Sequence, residues 1–462
     1  MSERTELEVA GRVVELVRAA AGPGGQAEVL VDHTELALTR FANSYIHQNV
    51  AAVTTTVRLR LHLDGRTAAG FTTVTSADGL GGLVERTIAA ARLCPPDPGW
   101  PGLAPPAASV HGGRWDAGAA QAGPEERAER VRAFVDAAGG LETAGFCRTQ
   151  HRAAGFANSA GQAVAGRTSE AAMDAIARAA GADGLARFAS VGLAGLDGAA
   201  LGARAAAKAR AGADRVELPP GRYEVVLEPS AVMDVLQNLA MYGFNGKAYA
   251  ERTSFVQPGA EQFDAAVTLV DDATSPGSPG LPFDAEGTPK RRLTLVAAGT
   301  TRAVAHDRRS AAEAGESSTG HATPDIGVWG PVARNLRLEP APAGTAAAGP
   351  AHPAVDPAAA ALVAGVDRGL LVTDLWYTRV LDPKSLVVTG LTRNGVWLVE
   401  DGVVTAPVRD LRFTQSYPQA LGPGAVLGIG DAPLLPDVWG TGWWTAPALR
   451  LAAWNFTGGA SG

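Results

Sequence analysis

Arg40-Phe41-Ala42-Asn43-Ser44-Tyr45-Ile46-His47-Gln48-Asn49 returns, abbreviated, as Gly155-Phe156-Ala157-Asn158-Ser159-Ala160-Gly161. The same succession of signals surrounds each copy. Ahead of the first, Leu7, Ala10, Val14, Val17 and Ala21 fall at helical spacing, and Gly22-Pro23-Gly24-Gly25 stops the helix. After it, Val57, Leu59, Leu61 and Leu63 alternate with Arg58, Arg60 and His62, which predicts a strand with one buried face and the arginines on a solvated one. Asp64-Gly65 suits the positive φ of a hairpin turn, and Asp78 is placed to cap a helix carrying Leu83, Val84, Ile88 and Ala91. Around the second copy, Pro124 suits the first turn of a helix through Val131 and Phe134. Asp183-Gly184 echoes Asp64-Gly65, and Asp197 starts a helix as Asp78 does. Two copies of one helix–strands–helix unit are expected, over residues 1–112 and 120–214, with a Pro/Gly-rich linker near 95–123.

From Arg222 the texture changes. Tyr223-Glu224-Val225-Val226-Leu227 reads as a strand, and Ser230 as the cap of a helix from Ala231 to about Tyr242. Beyond it the chain is strand-like, with turn signals at Asp284-Ala285-Glu286-Gly287, Arg393-Asn394-Gly395 and Asp401-Gly402. A Pro/Ala-rich stretch near 340–360 reads as a surface loop, and Trp439, Trp443, Trp444 and Trp454 as core or interface. The fold class expected is α+β: two related N-terminal α/β units, then a large β-rich C-terminal domain over 220–462.

Composition narrows the function. The 462 residues carry a net charge of −7, which argues against a nucleic-acid partner or an anionic membrane surface. No apolar run reaches the ~18 residues of a membrane span. Met1-Ser2-Glu3-Arg4 opens an amphipathic helix and not a signal peptide. Cys94 and Cys147 are too few for a disulfide framework, so a reducing cytoplasm is expected.

Six short motifs stand in a fixed order: Arg40–Asn49, Phe156–Gly161, Tyr223–Pro229, Leu281–Gly287, Ser318–His321 and Thr392–Gly402. By them the chain resembles the TldD/PmbA family of zinc metallopeptidase subunits, in its PmbA/TldE-like, non-zinc branch. In that family the catalytic subunit carries His-Glu-x-x-x-His on a helix, and a cysteine of its C-terminal domain completes the zinc site. Counting from Val225–Pro229, the resemblance puts the first histidine at Gln237, the glutamate at Asn238 and the second histidine at Tyr242. Gln is a poor zinc ligand, Asn cannot act as a base, and a phenol with an ordinary pKa near 10 stays protonated. None of the eight histidines shares a helical turn with another, and both cysteines precede residue 150. No metal or catalytic residue is therefore expected in this chain. Asp271-Asp272 and Asp284/Glu286 read as turn and cap residues in preference to metal ligands, and Ser318 beside His321 does not make a triad. Arg40, Phe41, Asn43, Ser44, Asn158 and Ser159 are motif residues without an assigned role.

The resemblance implies a non-catalytic subunit that pairs with a zinc-bearing TldD-like subunit, the pair cleaving extended peptides and unfolded segments. Two alternatives remain: a peptidase complete in itself, and a peptide-binding homodimer without catalysis.

Overall fold

The computed structural model describes residues 3–108, 114–179, 181–324, 326–340, 352–431, 433–436 and 442–459. The element order repeats. Helix α1 (Glu3–Ala21), strands β1 (Gln26–Ala42), β2 (Tyr45–Leu63) and β3 (Arg66–Thr72), and helix α2 (Ala77–Leu93) form the first unit. After the short α3 (Ala117–Gln121), helix α4 (Pro124–Ala137), strands β4 (Glu142–Asn158), β5 (Ala163–Ala179) and β6 (Ala182–Ser190), and helix α5 (Gly198–Ala211) form the second. The two units share one six-stranded sheet, β3-β2-β1-β4-β5-β6. Its seam is the antiparallel pair β1–β4, in unbroken register from Glu28 opposite Asn158 to Phe41 opposite Gly145. Glu35 faces His151 at the centre, where a local dyad relates the units.

The motif copies close the two ends of this seam. Asn43 and Ser44 take φ of 50° and 63° in the two-residue turn between β1 and β2. The Ser44 N–H donates to the Thr143 carbonyl at 3.1 Å, and the Thr143 N–H donates to Ser44 Oγ at 3.0 Å. At the other end the Ser159 N–H donates to the Ala27 carbonyl at 2.8 Å, and the Ala27 N–H donates to Ser159 Oγ at 3.0 Å. Each motif serine thus pins the start of the other unit's first strand. Asn158 accepts at Oδ1 from the Ala160 and Gln162 N–H groups, building the turn that presents Ser159. Phe41 packs against Phe134 of α4, ring centroids 5.7 Å apart, while Arg40 is exposed.

Three local expectations change. Ser76, not Asp78, caps α2, accepting from the Gly79 N–H; Asp78 lies in the first turn. Asp197 does cap α5. Asp183-Gly184 lies inside β6, and the preceding reversal uses Gly181 at φ 80°. Gly184 is required for another reason: a Cβ there would come 2.0 Å from the Ala205 carbonyl oxygen of α5. Third, Arg60 is not on a solvated face. It pairs with Glu28 and Glu286, both buried, because the C-terminal domain covers that side of the sheet.

In the C-terminal domain, strands Arg368–Asp382, Gly221–Leu227, Leu449–Gly459, Leu411–Ser416 and Val387–Glu400 pair in that order, and the last pairs back to the first, closing a ring. A second six-stranded sheet includes Leu269–Asp271, Leu293–Ala297 and Leu336–Leu338. Trp444 and Trp454 are core, and Trp443 Nε1 donates to Glu170 of β5 at 2.6 Å; Trp439 lies outside the described residues, as does most of 340–360. Asp401-Gly402 turns a hairpin, whereas Asn394-Gly395 is a left-handed bulge within the strand Val387–Glu400.

Deleting either serine hydroxyl removes the acceptor of a backbone N–H in the seam, which costs about 1–2 kcal/mol. Ser44→Ala and Ser159→Ala should each lower the stability read by urea unfolding by that amount. Because the sites lie at opposite ends of the seam, the double variant should lose about the sum.

Candidate functional site

Gln237 and Asn238, which the resemblance matches to zinc-helix positions, end helix α6 (Pro229–Asn238), and Tyr242 follows in the next turn. The N-cap of α6 is Glu228 with Pro229 at the first helical position, so Ser230 lies inside the helix. Ala231, Leu236, Leu239 and Ala240 are fully buried, which fixes the rotation of the segment. At Leu239–Gly243 the helix widens into a π turn, closed by the Phe244 N–H donating to the Leu239 carbonyl at 2.8 Å. This turn decides the geometry. On a continuous α-helix, residues five apart stand about 140° from each other. The added residue per turn brings Tyr242 round to the side of Gln237, and both line one cavity. The sequence offers no sign of the π turn beyond the five-residue spacing itself.

The cavity has a volume of about 500 Å³. Met233, Asp234, Gln237, Asn238, Met241 and Tyr242 form one wall; Asp374 to Arg379, Arg187, Arg334, Trp329 and Val332 form the rest. Asp234, absent from the sequence-based candidates, is its most constrained acid. It accepts from the Thr378 hydroxyl and the Tyr417 hydroxyl, each at 2.6 Å, and from Asn238 Nδ2 at 3.2 Å. Burial raises its pKa to about 6 against the pull of the Thr378 and Tyr417 hydroxyls. Asp374 is also raised by burial, and it accepts from Arg187 and from Asn394 Nδ2, each at 3.1 Å. The bulge at Asn394 is what aims that amide at Asp374. Arg187 comes from β6 and is also bound to Asp174, so the second N-terminal unit supplies part of the cavity wall.

These side chains do not fit zinc. No histidine or cysteine lines the cavity. Asp234 and Asp374 already spend their oxygens on hydroxyl, amide and guanidinium donors. Among the described residues no group of three His, Cys, Asp or Glu side chains is arranged to hold a metal. Cys147 is buried in the N-terminal sheet, where burial pushes its thiol up to about 12, and Cys94 follows α2. The Gln237 side chain makes no hydrogen bond to the described residues; Asn238 Nδ2 donates to the Asp234 carboxylate and to the Asp234 carbonyl.

The other candidates serve the structure. His321 Nε2 lies 2.9 Å from Asp271 Oδ1, both buried, and the other Asp271 oxygen accepts from the Asn335 N–H at 2.6 Å. Asp272 accepts from Thr274 N–H and hydroxyl. Asp284 accepts from the N–H groups of Glu286, Thr288 and Ala322, which joins the Leu281–Gly287 motif to the residue after His321.

Residues 220–458 match the family model described as the PmbA/TldA metallopeptidase C-terminal domain. The chain belongs to the PmbA/TldD family. TldE from Thermococcus kodakarensis superposes with a TM-score of 0.84 at 17% identity, over 97% of this chain and 100% of the other. A proposed modulator of DNA gyrase from Thermotoga maritima gives 0.80 at 16%, over 97% and 99%. Another from Bacteroides thetaiotaomicron gives 0.80 at 19%, over 98% of each. Among curated proteins none matches the sequence. No helix among the described residues is long and apolar enough to cross a membrane.

Asp234 yields a signed prediction. The folded state keeps its proton between the ordinary value of 3.8 and about 6, where the unfolded chain has lost it. Its contribution to stability is therefore complete at low pH and is lost as pH rises through about 6, by roughly 3 kcal/mol for a two-unit shift. Asp234→Asn should flatten the pH dependence of the unfolding free energy over that window. Tyr417→Phe removes a donor to the carboxylate, so carboxyl NMR should find the Asp234 pKa above its wild-type value; a fall would contradict the geometry.

Proposed function

We propose that this chain is the zinc-free, TldE-like subunit of a cytoplasmic two-subunit metallopeptidase, which binds a zinc-bearing TldD-like subunit and helps present extended peptides to it. One observation carries the reading. The helix and π turn holding the positions that the resemblance matches to the zinc helix are intact and packed, and their cavity-facing side chains are Gln237, Asn238 and Tyr242. A fold that keeps the scaffold and lacks the ligands suits a role in assembly and positioning. Aligning a substrate against a metal site on another subunit lowers the barrier by several kcal/mol without any chemistry from the aligning wall. The cavity beside α6 suits that task through its aromatic residues, Trp329, Trp376 and Tyr377, and the unengaged amide of Gln237.

The test is reconstitution. The isolated chain should carry no stoichiometric zinc by elemental analysis and should not cleave an unfolded peptide. Added to a TldD-like subunit that is inert alone, it should restore cleavage. Gln237→Ala should keep reconstituted activity within about threefold, under ~1 kcal/mol in barrier. In the partner's zinc helix, Glu→Gln should abolish cleavage by removing the general base. Robust cleavage by this chain alone, or one zinc per chain lost on substituting its own residues, would overturn the assignment.

A further inference from the structure

A second cavity, of about 460 Å³, lies where β1, β2 and β3 meet the C-terminal loops at Ala285 and Thr323-Pro324. One side of it is basic, lined by Arg58, Arg60 and Arg309. Two of these cations are already engaged. Arg60 is held between Glu28 and Glu286, and Arg309 Nη2 donates to Asp97 at 2.7 Å. Glu28, the only acid among the described lining residues, is thus the partner of Arg60. Arg58 makes no hydrogen bond and no ion pair with the described residues. Asp32 lies near enough to feel its charge but is bonded by Arg152, whose Nε donates to both carboxylate oxygens at 3.0 Å. The other side of the cavity is apolar, lined by Leu30, Phe71, Pro324 and Val328. Phe71 is 70% exposed and Val328 68%. Large apolar side chains therefore stand open beside a half-buried guanidinium that has no bonded counter-ion.

The repeat supplies a control. Arg58 stands five residues before the end of β2 at Leu63, Phe71 stands five after the start of β3 at Arg66, and the two are cross-strand partners. Asp174 and Arg187 hold the same places in the second unit, five before Ala179 and five after Ala182, and are partners likewise. There the chain satisfies its own charges, since Arg187 bonds Asp174 at 2.9 Å and Asp374 of the C-terminal domain at 3.1 Å. In the first unit the acid's place holds Arg58 and the arginine's place holds Phe71. The cation receives no carboxylate from the C-terminal domain, and an aromatic ring stands beside it. A guanidinium fork matches a carboxylate, and a concave site with apolar walls and one placed charge suits a small ligand. We infer that this cavity binds an apolar monocarboxylate, its head group on Arg58 and its apolar body against Leu30, Phe71 and Val328. Two sources share that chemistry: a free small acid and the C-terminal residue of a peptide. None of these residues lines the α6 cavity, so the site is independent of the role proposed for α6.

The experiment uses the full chain, with 3-phenylpropionate as the probe. Isothermal titration should give saturable one-to-one binding. Acetate, which lacks the apolar body, and 3-phenylpropanol, which lacks the charge, should each bind about tenfold more weakly or worse. Arg58→Gln should weaken the probe about tenfold or more, and Phe71→Ser several-fold. Circular dichroism and Tm should hold in both, because Arg58 is unbonded and Phe71 is exposed. In the wild-type chain the probe should shield Arg58 from phenylglyoxal, read by peptide mass spectrometry, which locates the site without a variant. N-acetylphenylalanine, the image of a peptide end, separates the two sources: tighter binding than the probe assigns the cavity to a peptide C-terminus, and weaker binding assigns it to a free small acid. No saturable heat up to ~10 mM probe overturns the inference. So does binding that folded Arg58→Gln leaves unchanged, that 3-phenylpropanol matches, or that leaves Arg58 open to phenylglyoxal.

Discussion

Everything in this fold hangs on the antiparallel seam between β1 and β4. Neither N-terminal unit has a sheet of its own large enough to cover its helices on one side and meet the C-terminal domain on the other. Fused along fourteen paired positions, the units make a six-stranded sheet buried on both faces for much of its extent. The motif serines lock that register from both ends, since a one-residue slip would turn every side chain to the opposite face. The motif that exposes the repeat in the sequence is thus the device that joins its two copies.

The second face of the sheet, together with helix α5, meets the C-terminal domain through buried charge. Arg60 joins Glu28 to Glu286, Lys208 joins Glu228, and Arg187 joins Asp174 to Asp374. Such pairs add little net stability over apolar packing, but losing one partner strands a buried charge, so they specify how the halves sit together. Burial pushes Glu28 and Asp284 up to about 7 in this cluster, against the charge of Arg60 in the first case and with that of Glu286 in the second. The Arg187–Asp374 pair carries that constraint to the edge of the α6 cavity. The cavity wall is consequently shared by the second N-terminal unit, through Arg187, and the C-terminal domain.

The sequence by itself determined the repeat, the β-rich C-terminal half and the hairpin turns at Asp64-Gly65 and Asp401-Gly402. These are local facts: turn chemistry needs only adjacent residues. Tertiary structure alone decided the rest. Alternation along β2 identified one buried face correctly but left Arg58 and Arg60 on the solvated one, because the covering domain lies more than two hundred residues away in the chain. The prominence of Asp234 was invisible for the same reason, since its donors come from Thr378 and Tyr417. The π turn and the bulge at Asn394 likewise depend on what packs alongside. Side-chain period tells which residues share a face; only the assembled fold tells what that face meets.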